Sequence, residues 1–141
     1  MNQNKQTGTL AETAVAAALL GEGFSVSFAH GENTPWDVIS DFEGKVNRIQ
    51  VMTATRSKRR GDYHVSLIAG NKVRYTKAHC DFITIWLPYS ADFDGIGFDG
   101  LYVIPVKEVK VSTCRCWPAG FGATNTLCKW EKYRNKFNLL K

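Results

Sequence analysis

Two neighbouring stretches decide the fold: Lys45-Val46-Asn47-Arg48-Ile49-Gln50-Val51-Met52-Thr53-Ala54 and, across Glu43-Gly44, Trp36-Asp37-Val38-Ile39-Ser40-Asp41-Phe42. Both are rich in β-branched residues, and the acid-glycine pair between them is a hairpin signal. Alternation along a strand puts Ile49, Val51 and Thr53 on one face, which reads as the core side. Arg48, Gln50, Met52 and Ala54 then share the other. On the first strand Asp37, Ile39 and Asp41 share a face, so Asp37 stands beside Gln50 if the register brings it there.

Upstream, residues 9–20 read TLAETAVAAALL, rich in Ala and Leu and followed by Gly21 and Gly23, which predicts a helix of about three turns. Apolar on most of its faces, it suits a position packed across a sheet. Residues 24–28 alternate as a half-buried strand, and residues 30–35 form a turn-rich loop. Downstream, residues 56–61 read as an exposed basic loop and residues 63–67 as a short strand. Residues 75–79 are helical or a turn, and residues 81–87 a buried strand closed by Pro88. A loop or wide turn over 92–100, a strand over 101–106, a β-ribbon near Cys114 and a short helix over 129–137 complete the order. The expectation is one α/β domain over residues 1–141, with a central mixed β-sheet flanked by helices.

At 141 residues, with 44% hydrophobic and 22% charged residues, the composition is that of a folded globular chain, not a disordered tail. No apolar run reaches the ~20 residues of a membrane span. The first residues have no apolar core of a secretory signal, so a cytoplasmic location without membrane attachment is expected. The net charge of +5 favours polyanionic partners, and its distribution adds weight. Arg56, Lys58, Arg59 and Arg60 crowd five positions, and Lys129, Lys132, Arg134, Lys136 and Lys141 alternate with Trp130, Tyr133 and Phe137 near the C-terminus. Each run alone is as readily a solvated surface. Together they point to nucleic acid. Cys80 stands apart, and Cys114 and Cys116 lie too close in sequence for the usual zinc spacing, with Cys128 further on, so free thiols are the expectation. The pairing of Asp37 with Gln50 suits a divalent metal that activates water beside a phosphodiester, but the cation such a site needs is missing.

The string Thr7-Gly8-x-Leu10-Ala11-Glu12-x-x-Val15-Ala16-Ala17-x-Leu19-Leu20-x-x-Gly23-Phe24-x-Val26, then Pro35-Trp36-Asp37-Val38-Ile39, then Arg48-Ile49-Gln50-Val51-Met52-Thr53-Ala54, resembles the PD-(D/E)XK nuclease superfamily. Within it the chain is most similar to the branch with a group I intron homing endonuclease, related in fold to archaeal Holliday junction resolvases. The resemblance runs over about residues 7–115, through Tyr75, the Asp81-Phe82 strand start, Tyr102-Val103-Ile104-Pro105 and Arg115. It implies an endonuclease that hydrolyses double-stranded DNA with Mg2+, for which Mn2+ or Ca2+ substitutes as a ligand. By the same resemblance Asp37 is the principal metal ligand, with Pro35 two positions before it instead of one. Glu12 helps to hold the metal or its waters, Gln50 takes the acidic position of the motif, and the Val51 carbonyl is offered to the metal. Arg56, Lys58, Arg59, Arg60 and Arg115 are the expected DNA-binding residues.

Met52 falls where the motif has its catalytic lysine. Three accounts stand: a lysine substituted to give an inert form, a binding relative that has lost cleavage, or a cation supplied from elsewhere, with Arg48 and Lys45 nearest. Plainer readings exist for each residue. Thr9-x-x-Glu12 is also a capping box, Asp37 a turn residue, Gln50 an exposed strand residue and Met52 ordinary packing. His30 and His79 fall in loops without partners at ligand spacing, and His64 reads as a surface residue. One small domain cannot cover a site long enough to be unique in a genome, so symmetric copies must share the reading. A homo-oligomer, dimer or tetramer, is expected.

Overall fold

The computed structural model describes residues 3–31, 33–56, 63–68, 73–88, 98–116 and 129–141. Helix α1 (Gln3–Gly21) leads into β1 (Ser25–Phe28), β2 (Val38–Phe42) and β3 (Lys45–Thr53). After them come β4 (Thr55–Arg56), β5 (Tyr63–Ser66), β6 (Phe82–Pro88), β7 (Phe98–Pro105) and β8 (Thr113–Cys116). Five strands form a sheet in the order β1-β2-β3-β6-β7, and β4-β5-β8 form a second, three-stranded sheet. Among the paired strands described, only β3 and β6 run parallel; the other pairings are antiparallel, so the main sheet is mixed as expected.

The hairpin forms where the sequence places it. Glu43 and Gly44 both adopt positive φ, at 51° and 90°, and Asp41 Oδ1 accepts the Gly44 N–H at 2.9 Å. Two consecutive residues of that conformation match the twist of flanking strands, and glycine takes it without a Cβ penalty. The helix begins earlier than residue 9 because Gly8 is tolerated inside it. Thr9 therefore sits within the helix, its hydroxyl donating to the Lys5 carbonyl at 3.0 Å, which removes the capping-box reading of Glu12.

Two apolar clusters lie on opposite faces of the main sheet. Ala11, Val15 and Leu19 of α1 pack with Val38, Ile49, Val51, Trp86 and Val103. On the other face Ala54, Ile83, Ile85, Tyr102 and Ile104 pack with Tyr63 and Val65 of β5 and Cys114 of β8, so the small sheet covers what the helix does not. The reading of β3 as core on one side only is thus corrected: Ala54 is buried and Met52 half-buried against the second cluster. The basic segment also starts differently, since the backbone of Arg56 already pairs with Tyr63 in β4.

In place of the expected helix over 129–137 there are two 3-10 turns, Glu131–Tyr133 and Phe137–Leu140. Asn135 lies between them at φ 52°, a conformation no helix continues through. The chain then docks on β3, with Asn47 Nδ2 donating to the Leu140 carbonyl at 3.1 Å and Lys45 Nζ to that of Lys141 at 2.9 Å.

Candidate active site

The site is made by an early end to one strand pairing. Val38 pairs with Ile49, and one residue before it the chain turns: the Asp37 N–H donates to the Ile49 carbonyl at 2.9 Å, while the Asp37 carbonyl accepts from Ala29 on the other side at 2.8 Å. The ladder between β2 and β3 stops there. The next β3 donor on that side, the Val51 N–H, is taken by the Asp37 side chain, with N to Oδ2 at 2.8 Å. A carboxylate thereby replaces a backbone acceptor, which fixes its position against β3. In a strand the N–H and C=O of one residue face the same neighbour, so the Val51 carbonyl also faces the gap beyond β2. Gln50 Nε2 donates to it at 3.4 Å.

Glu12 enters from the helix side. It and Asp37 line an open cavity of about 310 Å³ together with Ala29, Gly31, Thr34 and Trp36. Desolvation by burial raises the pKa of Glu12 above its ordinary value, and the charge of Asp37 raises it further. Burial likewise raises Asp37, while the Val51 N–H pulls it back. No cation contributes to either shift among the described residues. Two carboxyls facing one cavity, with the Val51 backbone and the Gln50 amide next to Asp37 on β3, are a donor set that suits a hard divalent cation. Asp37 Oδ1 makes no hydrogen bond among the described residues, which leaves a ligand position on that carboxylate. No group of three or more His, Cys, Asp and Glu occurs among those residues, so any ion held here also needs the neutral oxygens of Val51 and Gln50.

Met52 lies one alternation past Gln50, with Ile85 beside it on β6. Like Trp36 and Tyr75 it is half-buried against the second apolar cluster. The strand has neighbours on both sides in sheet order. Its end beyond Ile49 lacks a β2 partner.

The two cations nearest in sequence are committed elsewhere. Arg48 Nε and Nη2 each meet the Asp81 carboxylate at 3.3 Å, and Nη2 also donates to the Lys77 carbonyl at 2.7 Å. Although burial opposes it, the hydrogen bonds from Arg48 and Lys77 hold the Asp81 carboxyl at about 2. Lys45 is bound to the Lys141 carbonyl at the far end of β3.

Tyr75 is legible in the sequence only as part of a matching string, yet it belongs to the surroundings of the site. Burial, then the Asp37 charge, raises its hydroxyl pKa. Cys80 is buried too, its thiol pushed up to about 11 mainly by desolvation, and Cys114 is likewise buried. Among the expected DNA-binding residues, Arg115 is exposed on β8, opposite His64. Lys58, Arg59 and Arg60 lie outside the described residues, as does Cys128. The C-terminal basic run is partly structural: Arg134 pairs with Glu131 at 2.9 Å, and Lys141 Nζ lies 5.1 Å from the Phe42 ring centre. No described helix is long and apolar enough to cross a membrane.

A carboxylate just before one strand thus stands against a backbone donor of the next, with a glutamate from the leading helix lining the same cavity. Residues 1–117 match the PD-(D/E)XK endonuclease family, and the chain belongs to it. Among solved structures it is similar to the bacterial homing endonuclease I-Ssp6803I, with a TM-score of 0.80 and 20% sequence identity over 98% of this chain and 93% of that one. At that identity the likeness shows the shared fold. No curated protein matches the chain.

Proposed function

We propose that residues 1–141 form a single homing-type endonuclease domain that hydrolyses phosphodiester bonds of double-stranded DNA with Mg2+, in a form that Met52 has left nearly inert. The observation that supports this most is the Asp37 carboxylate held on the Val51 N–H beside Glu12, at the gap where β2 stops. Asp37, Glu12, the Val51 carbonyl and the Gln50 side-chain oxygen would hold the ion. When bound, the ion supplies charge stabilisation at the phosphate and a more acidic water. Asp37 keeps its orientation through Val51, and Glu12 accepts hydrogen bonds from water in the same cavity. The missing part is an ammonium at position 52 to orient and help deprotonate the attacking water. Arg56, Lys58, Arg59, Arg60 and Arg115 would bind the duplex, and symmetric copies of the chain would share a site with two-fold character.

A second reading rests on Met52 itself. Its apolar packing beside Ile85 also fits a DNA-binding relative that keeps the fold without cutting. Incubation of the chain and of Met52→Lys with supercoiled plasmid and with randomised duplex, in Mg2+ or Mn2+, separates the two. Nicking by the lysine form supports the nuclease, and DNA binding without cutting by either form supports the binding relative. Preference for a four-way junction over linear duplex would instead mark a resolvase.

A further inference from the structure

The small sheet has an outward face that the active site does not use. In β4, β5 and β8 the residues Tyr63, Val65 and Cys114 are buried, while Thr55, His64, Ser66, Thr113 and Arg115 are exposed. The register aligns the exposed ones. Thr55 stands opposite His64 and His64 opposite Arg115, which makes one row across three strands; Ser66 and Thr113 pair in the next. None of the five is acidic, and every one carries a hydrogen-bonding group. In sequence, β4 is joined to β5 by the segment with Lys58, Arg59 and Arg60.

We infer that this face reads base edges of duplex DNA in the major groove, with Arg115 selecting guanine. The inference rests on the nuclease reading and specifies how its substrate is recognised. Dimensions fit: strands lie about 4.8 Å apart and a major groove about 12 Å wide admits a two-stranded ribbon, so β5 and β8 enter together with β4 at the groove's rim. Chemistry fits as well. An arginine fork matches guanine O6 and N7, and hydroxyl-bearing threonines both hydrogen-bond to bases and touch the thymine methyl. Finally, β4 continues β3 after the single residue Ala54, so the reading face is tied by one run of chain to the strand that holds Asp37 in place. Thr55 is four residues past Val51, or ~13 Å, and Arg115 stands two strands further across. At about 3.4 Å per base step, the guanine falls roughly four to five base pairs from the phosphate at Asp37.

The test is selection of bound sequences from a randomised duplex pool in Ca2+, with the full chain. Guanine enrichment at one position per half-site is expected, and methylation of that guanine at N7 should block binding by the unaltered protein. Arg115→Lys keeps the charge and loses the fork. It should keep the salt dependence of binding and lose about 10- to 100-fold in discrimination at that position. Lys107→Ala, exposed but off this face, should change nothing. Enrichment unaltered by Arg115→Lys, or binding insensitive to N7 methylation, overturns the inference. So does a pool retained without any sequence preference, which would make the face a phosphate-binding surface only. Failure of the chain to retain any duplex overturns the nuclease reading itself.

Discussion

Met52→Lys is the most informative single change. Met52 is half-buried, with Ile85 beside it and the second apolar cluster beneath, so its side chain already follows a path along apolar surface. A lysine stem has almost the same length and lines such a path while its ammonium seeks a polar end. On the proposed reading that end is the gap with Asp37 and Glu12, where no cation among the described residues offsets two carboxyls raised by burial. The packing cost should stay below about 1.5 kcal/mol, as for other volume-conserving swaps. Two effects are expected. Hydrolysis in Mg2+ should rise by ~10²–10³, the size of one transition-state donor. The carboxyls should also titrate lower, by roughly one to three pH units for an opposite charge within hydrogen-bonding distance. Single-turnover cleavage of a selected duplex measures the first, and carboxyl 13C shifts against pH measure the second. Equal cutting by both forms would refute the reasoning, because another group would then supply the cation. Lowered carboxyl titration without cutting would locate the defect outside position 52.

Further outcomes follow from the same geometry. Asp37→Asn should weaken Ca2+ or Mn2+ binding in the presence of DNA by about tenfold or more, measured by calorimetry; undiminished binding would place the metal elsewhere. Because the Glu12 and Asp37 carboxyls are raised in the folded chain, metal affinity should decline with falling pH earlier than for ordinary carboxylates at 4.5 and 3.8. The same shifts make the metal-free protein more stable as pH falls through them, since the folded state binds those protons more tightly. Asp81 works in the opposite direction: held at about 2 against an ordinary 3.8, it contributes stability above the upper value that is lost between the two, and Asp81→Asn should cost about 1–3 kcal/mol at neutral pH in urea unfolding. Replacing Lys58, Arg59 and Arg60 together with alanine should flatten the log–log salt dependence of duplex binding by about 0.9 for each phosphate left without its cation, and an unchanged slope would show a solvated loop.

The hairpin was legible because Glu43-Gly44 and the β-branched runs on either side agree on one structure. The same local consistency located Asp37 against β3. What sequence could not show is the stop at Val38, since it depends on the Asp37 backbone facing β3 through N–H and β1 through C=O. The second core was equally hidden. Met52 and Ala54 look like the polar side of a strand until the small sheet is placed over them, and β5 and β8 of that sheet are paired across a long stretch of chain, Tyr63 with Cys116. Arg48 misled for a related reason: a cation on the right face of the right strand is disarmed by Asp81, a partner that only the parallel β3–β6 pairing brings near.

These elements separate holding a substrate from cutting it. Asp37 is oriented by a backbone donor of β3, so its position does not depend on which side chain stands at position 52. Glu12 depends on the helix, which meets the sheet through Ala11, Val15 and Leu19. On the proposed nuclease reading, methionine in place of lysine would remove a charge needed in the transition state while leaving Asp37, Glu12 and the fold as they are. It also leaves two carboxyls with no neighbouring cation among the described residues, so a bound divalent ion relieves more repulsion here than in a site that keeps its lysine. Metal affinity and cleavage rate should accordingly move in opposite directions on Met52→Lys, a divergence that loss of folding or of DNA binding cannot produce.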